Sequence, residues 1–506
     1  MLHDHPVTAY EELVDRSRGR AMLVSCLELL AWDELTCMPR GGVGNRGRQT
    51  AYLVGLLHDA SSDPRFGDLL ELVEGSDLME DPESASAVNA RVWRRQHDRA
   101  VRVPRGLLEE LARVTTIAQQ QWAESRQDGD FRSFLPHLAR VVRLKRDEAA
   151  CFAGTMDAYD ALLDDFEPGC TRARLARLFR AIQEPLQDLL GRIAEKGPMV
   201  HSVVLRRDYP IDRQRILGES IAADIGFDFE CGRLDATTHP FFSCVGPGDC
   251  RITTRYDAHD FGESFFAILH EIGHGLYEQG LAPDAYGTPM GESSSLGVHE
   301  SQSRIWENLV GRSRSFWRHC FPRVRDLFHT ALHDIDEEDF HRVCNEVRPS
   351  WNRVRADEVS YDLHILVRFE LEQSMIAGEL DPSDVPGAWN ERYARVLGVT
   401  PRDDREGCLQ DGHWAAGQFG YFPTYTLGNL FAAQLMAGAR RDLPDLDDRF
   451  AEGEFRGLRE WLRERIYRHG QRYSADELVR RATGSPADPA TMMERLRRKY
   501  EELYEI

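Results

Sequence analysis

The stretch Ile268-Leu269-His270-Glu271-Ile272-Gly273-His274-Gly275 holds two histidines four residues apart with a glutamate between them, the pattern H-E-x-x-H. On a helix, residues four apart project from one side, so His270 and His274 can reach the same cation. Glu271 points about a quarter-turn away, close enough to take a proton from a water on that cation. So short a pattern can arise by chance, and a metal site needs a third ligand. After a Gly-, Ser- and Pro-rich loop (280–297), the segment Val298 to Asn308 offers Glu300, His299 and Glu307. Two histidines, one glutamate and a fourth position left to water is a hydrolytic zinc arrangement. A divalent cation with Glu300 and an ionised Glu271 also sums to about zero charge. Glu300 ranks ahead of Glu307, a residue type that more often lies on a solvated helix face.

These residues need a scaffold, and the apolar spacing predicts one that is mainly helical. Phe265, Phe266, Ile268, Leu269, Ile272 and Leu276 give the His270–His274 segment its apolar face. The same three-to-four spacing predicts helices over 9–30, 46–59, 104–125, 135–159 and 172–195. Two β-branched segments, 199–205 and 251–256, predict a small antiparallel sheet beside the metal-binding helix, with the second segment at its edge. Such an edge can hydrogen-bond an extended peptide. Further on, His413 and Trp414 precede an aromatic stretch containing Tyr421 and Tyr425, and donors there could stabilise a developing oxyanion. Arg348, Arg353 and Arg355 cluster before a helical run. A free α-carboxylate is best read by arginine, although the same cluster could be a surface patch offsetting Asp357 and Glu358.

The pairing of His270-Glu271-Ile272-Gly273-His274 with His299-Glu300-Ser301-Gln302 resembles the M32 metallocarboxypeptidases. Other elements of that family follow in order. Trp32-Asp33 through Thr36 to Met38-Pro39 resembles its N-terminal motif, His239-Pro240-Phe241 its HPF element, and Asp249-Cys250-Arg251-Ile252-Thr253 its D-x-R-x-T. Gly407 to Trp414 is similar to G-x-x-Q-D-x-H-W. The resemblance covers nearly the whole chain and implies a single domain over 1–506, a two-lobed helical shell around a deep groove. It implies release of C-terminal residues from peptides, zinc or cobalt as the cofactor, and a homodimer. In it, Asp249, Arg251 and Thr253 belong to the groove wall with His239, and Arg353 holds the arginine position of the family's I-R-V-E-A-D-E motif. This chain departs there, carrying Arg355 where the family has an acid.

Bulk properties agree with a soluble enzyme. A formal charge of −21 over 506 residues argues against nucleic acid or an anionic membrane as partner. No stretch nears twenty uninterrupted apolar residues, and the N-terminus has acids where a signal peptide needs a basic then apolar run. Ten cysteines without C-x-x-C pairs read as reduced thiols in the cytoplasm. Two alternatives accompany the carboxypeptidase reading. One is an oligopeptidase or endopeptidase with the same helical shell. The other is a non-catalytic scaffold around a structural metal, against which stands the closed, cysteine-rich character of structural zinc sites.

Overall fold

The computed structural model describes residues 5–199, 201–237, 240–348 and 350–506. It divides into two compact units, each assembled from separate stretches of chain. One comprises Met1–Arg105, Val203–His341 and Leu435–Pro486; the other Gly106–Ser202, Arg342–Gln434 and Ala487–Ile506.

In the first unit, the helix Pro6–Thr36 is longer than its apolar spacing predicts, starting from a His5 cap with proline at the first turn. Ala9 and Leu13 pack with Phe66, Leu69, Leu70, Val73, Ala90 and Trp93. The helix Phe261–Gly280 opens on Asp260, whose carboxylate accepts from the Glu263 N–H. Phe265, Phe266, Ile268, Leu269, Ile272 and Leu276 are all buried, as their spacing predicts. A second short helix, Leu296–Arg304, is capped by Ser295 and widens into a π-helical turn over Ile305–Val310. The two helices meet backbone to backbone at Gly273. A Cβ there would sit 2.4 Å from the Gln302 carbonyl oxygen and 2.5 Å from the Ser303 Cα, so only glycine permits this approach.

The sheet differs from its expectation in three respects. Its strands are β1 (Gly232–Ala236), β2 (Phe242–Gly246) and β3 (Asp249–Thr254), in the order β1-β3-β2. It is mixed rather than antiparallel, because β1 pairs with β3 in parallel and β2 pairs with β3 antiparallel. The predicted edge segment is the central strand, with both backbone sides occupied, so β3 has no free edge for a peptide. The other predicted strand, 199–205, forms turns and a 3-10 turn at Val204–Arg206 among its described residues. Its β-branched residues fit a pleated surface, but Val204 is instead buried beneath Tyr209, whose hydroxyl donates to the Val204 carbonyl.

In the second unit, the predicted 135–159 helix breaks into Phe131–Ala150 and Ala158–Leu163, beside Arg105–Asp128 and Arg172–Lys196. The helix Tyr361–Ala377 is buried almost all round, with Asp362, His364, Arg368 and Glu372 no more than 1% exposed. Buried polar groups of this kind require partners. His364, Arg368 and Glu372 recur every four residues and so share one face. Arg368 and Glu372 find partners in the irregular segment 401–422, while His364 meets the Tyr393 hydroxyl on the helix Val385–Leu397.

Candidate active site

His270, His274 and Glu300 converge. One ligand atom from each lies within 4.8 Å of the others, a grouping that can hold a metal ion. The Glu300 Oε2 is 3.8 Å from His270 Nε2 and 3.5 Å from His274 Nε2. Metal bonds of about 2.0–2.1 Å at tetrahedral angles put ligand atoms about 3.4 Å apart, so the donor set fits a divalent cation with little movement. Arg304 fixes the carboxylate, its Nε donating to the Glu300 Oε1 at 2.8 Å and leaving Oε2 to face the histidines. Glu271, one residue along the helix from His270, is 6% exposed. Burial pushes its carboxyl up to about 7 against the pull of His270. Among the described residues none hydrogen-bonds that carboxylate, in contrast to Glu300.

Both imidazoles are held from behind. The His270 Nδ1 lies 2.9 Å from the Glu307 Oε2, and Glu307 is braced in turn by Arg304 at 3.2 Å. Burial would push the Glu307 carboxyl up, but Arg304 and His270 reverse this and bring it down to about 2. Burial likewise opposes charge on His270, yet Glu300 and Glu307 outweigh it and raise its pKa. The same excess of negative charge favours a cation against this ring. His274 is backed differently. Its Nδ1 is 2.7 Å from the His299 Nδ1, and the His299 Nε2 is 3.0 Å from the Glu278 Oε1. With the His274 Nε2 lone pair facing the cluster, its Nδ1 carries the proton and donates to His299. His299 must then carry its own proton on Nε2 and donate it to Glu278. Burial, followed by the neighbouring His299 and His270, pushes His274 well below the usual imidazole range, which keeps it neutral.

The second unit holds a different cluster. The Arg353 Nε and one terminal nitrogen donate to the Asp411 Oδ1 at 3.0 and 2.8 Å, and its other terminal nitrogen donates to the Tyr361 hydroxyl at 3.2 Å. Arg368 donates its Nε to the Asp411 Oδ2 at 2.7 Å. One carboxylate thus serves two buried guanidiniums. His413 adds no further positive charge, because burial, with Arg353 and Arg368 acting against Asp411, pushes it down to about 3. A further acid on the helix, Glu372, is pushed up by burial to about 7. It accepts from the Tyr159 hydroxyl at 2.8 Å, the Trp414 indole at 2.9 Å and the Gly420 N–H at 3.1 Å. Of the two candidate tyrosines, Tyr425 pairs with His413, hydroxyl to Nε2 at 3.1 Å, whereas the Tyr421 ring packs edge-on against Phe166.

Sequence motifs distant along the chain meet in these clusters. Arg353 gives its backbone N–H to Gln410, joining 352–358 to the Gly407–Trp414 motif. Arg251 forks onto Asp249 at 2.7 Å while its guanidinium lies 4.5 Å over the Trp32 ring. The Thr253 hydroxyl donates to the Phe241 carbonyl and accepts from its N–H. Arg353 is no surface patch: it is 7% exposed, while Arg348 and Arg355 are exposed. Glu358 pairs with Arg495 and Lys499, and Asp357 caps the turn at Ser360. His239 lies outside the described residues. Sequence reasoning missed Glu278, Arg304, Arg368 and Asp411 and treated Glu307 as a solvated residue, whereas its side chain is only 15% exposed. For the helical residues among them the available signal was charge recurring at helical spacing, which marks partners rather than surface, whereas Asp411 lies in an irregular segment without that signal.

Residues 12–500 match the family model described as carboxypeptidase Taq (M32) metallopeptidase. The thermostable carboxypeptidase 1 of Thermus thermophilus is 47% identical over 508 residues, covering 99% of each chain. Carboxypeptidase 1 of Bacillus subtilis is 33% identical over 499 residues, 98% of this chain and 99% of that one. Among solved structures, the M32 carboxypeptidase from Deinococcus radiodurans R1 superposes with a TM-score of 0.93 at 38% identity, covering 99% of this chain and 100% of that chain.

Proposed function

The chain belongs to the carboxypeptidase Taq (M32) metallopeptidase family, and on that premise we propose that it removes C-terminal residues from peptides by the chemistry of His270, Glu271, His274 and Glu300. The observation that carries this reading is the convergence of two imidazoles and a carboxylate, with Glu271 beside them. A divalent cation held by His270, His274 and Glu300 would supply Lewis-acid polarisation of the scissile carbonyl and acidify a water molecule there. The mixed nitrogen and oxygen donors suit zinc, and cobalt accepts the same geometry. Glu271 takes the proton of the attacking water and returns it to the leaving amine nitrogen. His413 and Tyr425 are the proposed donors to the carbonyl oxygen as it gains charge, with Tyr421 packed beside them.

Arg353 is the proposed reader of the substrate's free α-carboxylate. Two buried guanidiniums share the single carboxylate of Asp411, and the remaining positive charge suits an incoming anion. Asp249, Arg251 and Thr253 are proposed to shape the substrate-facing wall, their polar atoms already engaged with one another and with Phe241. The family match running through both units supports reading 1–506 as one domain. Ten free cysteines support a cytoplasmic location, and a homodimer rests on the family resemblance. The carboxypeptidase relatives favour this activity over an oligopeptidase. The test is kcat/KM on peptide pairs with free and amidated C-termini. Amidated peptides should be poor substrates for the parent. Arg353→Ala should lose about 2 kcal/mol or more of transition-state stabilisation on free peptides only. Equal cleavage of both peptides by the parent enzyme would sink the carboxypeptidase reading.

A further inference from the structure

Cys244 and Cys250 stand opposite one another across the antiparallel β2–β3 ladder, with their sulfurs 3.5 Å apart. The register decides whether such a pair can bond. Thr253 donates its N–H to the Phe241 carbonyl, which makes 241/253 a hydrogen-bonded pair. Bonded and non-bonded pairs then alternate, so 242/252 is non-bonded, 243/251 bonded and 244/250 non-bonded. Non-bonded pairs bring their Cα atoms to about 4.5 Å, inside the range of about 4.4–6.8 Å that disulfides span. The carbonyl of the other cysteine nearby, Cys231, accepts from the Cys250 N–H.

We propose that Cys244 and Cys250 are a redox-active dithiol that closes to an intrachain disulfide by exchange with a low-molecular-weight disulfide such as oxidised glutathione. Cys244 is half-buried and Cys250 is buried, so Cys244 reacts first. Its thiolate attacks one sulfur of the small disulfide, and the small thiolate that leaves takes up the Cys244 proton. The Cys250 sulfur then attacks the Cys244 sulfur of the mixed disulfide, and a second small thiol departs with the Cys250 proton. Two protein thiols lose two electrons and two protons, and the small disulfide gains both. The neighbouring thiol and burial push the Cys244 thiol up, so the exchange is slow rather than catalytic.

The bond would lie directly behind the metal-ligand helix. Phe242 shares a strand face with Cys244 by the two-residue period, and its ring lies 5.9 Å from that of His274 and 5.5 Å from that of His299. Closing the pair ties together the strands on which this backing rests.

The test uses the full chain in glutathione buffers of rising oxidised fraction, followed by alkylation, trypsin digestion and mass mapping. Trypsin cuts after Arg233 and Arg251, placing both cysteines on the peptide 234–251 and Cys231 on another. In oxidising buffer that peptide should become two hydrogens lighter and resist alkylation, and dithiothreitol should restore both alkylation sites. Cys250→Ser should never give the lighter peptide. A peptide doubly alkylated at the most oxidising ratio, or a bridge mapped to Cys231, would overturn the proposal without touching the assignment of the metal ligands.

Discussion

Three glutamates surround the two histidines, and their surroundings give them different work. Glu300 is turned by Arg304 so that one oxygen faces His270 and His274. Glu307 stands behind His270, and Glu271 is left without a hydrogen-bond partner among the described residues. Measuring bound metal and kcat together on three variants separates these roles. Glu271→Gln should keep its metal and lose about 100- to 10,000-fold in kcat. Glu300→Ala should lose metal and activity together. Glu307→Ala should weaken metal affinity about 10- to 100-fold, as removal of an orienting carboxylate does. A Glu271→Gln variant with near-parental turnover, or a Glu307→Ala variant with unchanged affinity, would refute the corresponding role. The histidine pair was legible because its spacing is a local, helical matter, and Glu300 because its segment resembles the family's motif. Glu307 was not, because the residue it faces lies 37 positions away.

At the scale of elements, the site depends on how closely two helices approach. Gly273, inside the H-E-x-x-H pattern, is where Phe261–Gly280 touches the Gln302-Ser303 backbone, and this contact carries Glu300 to the histidines. Gly273→Ala should therefore lower both thermal stability and metal content, since backbone on the facing helix cannot turn aside as a flexible side chain can. Gly191→Ala is the control, because its Cβ would meet nothing within 4 Å. On an exposed helix that change should stabilise by about 0.5–1 kcal/mol. Retention of full metal content by Gly273→Ala would show that the helices can separate without disturbing the ligands. The helices themselves were legible from apolar periodicity. The sheet was not: β1, Gly-Arg-Leu-Asp-Ala, has no β-branched residue, and its strand character comes from pairing with β3. The 199–205 segment carried the composition of a strand, yet its described residues form turns.

For the molecule as a whole, the buried charges of the second unit set how stability follows pH. Burial would push the Asp411 carboxyl up, but Arg353 and Arg368 reverse this and hold it well below the usual range. Arg495 and Lys499 do the same for Glu358. Both carboxylates stay ionised in the folded state below about pH 4, where the unfolded chain takes up protons. Stability from this source is present above that pH and falls as acid is added. Glu372 works in the opposite sense. Burial raises its pKa to about 7, and the hydrogen bonds from Tyr159, Gly420 and Trp414 only partly oppose this. Between about pH 4.3, where the unfolded carboxyl ionises, and pH 7, the folded state keeps a proton that the unfolded state has lost. Its contribution is therefore complete at the acid end of that window and is lost as pH rises through 7. Full burial makes the loss up to about 4 kcal/mol. Glu372→Gln removes this titration while keeping a neutral, hydrogen-bonding side chain of the same shape. The difference in unfolding free energy between parent and Glu372→Gln should shift steadily against the parent from pH 4.5 to 7.5. A difference that stays constant over that range would mean that Glu372 is ionised throughout. Its carboxylate would then be a further partner for the charge that Asp411 leaves unbalanced on Arg353 and Arg368, and the anion-binding capacity assigned to Arg353 would shrink accordingly.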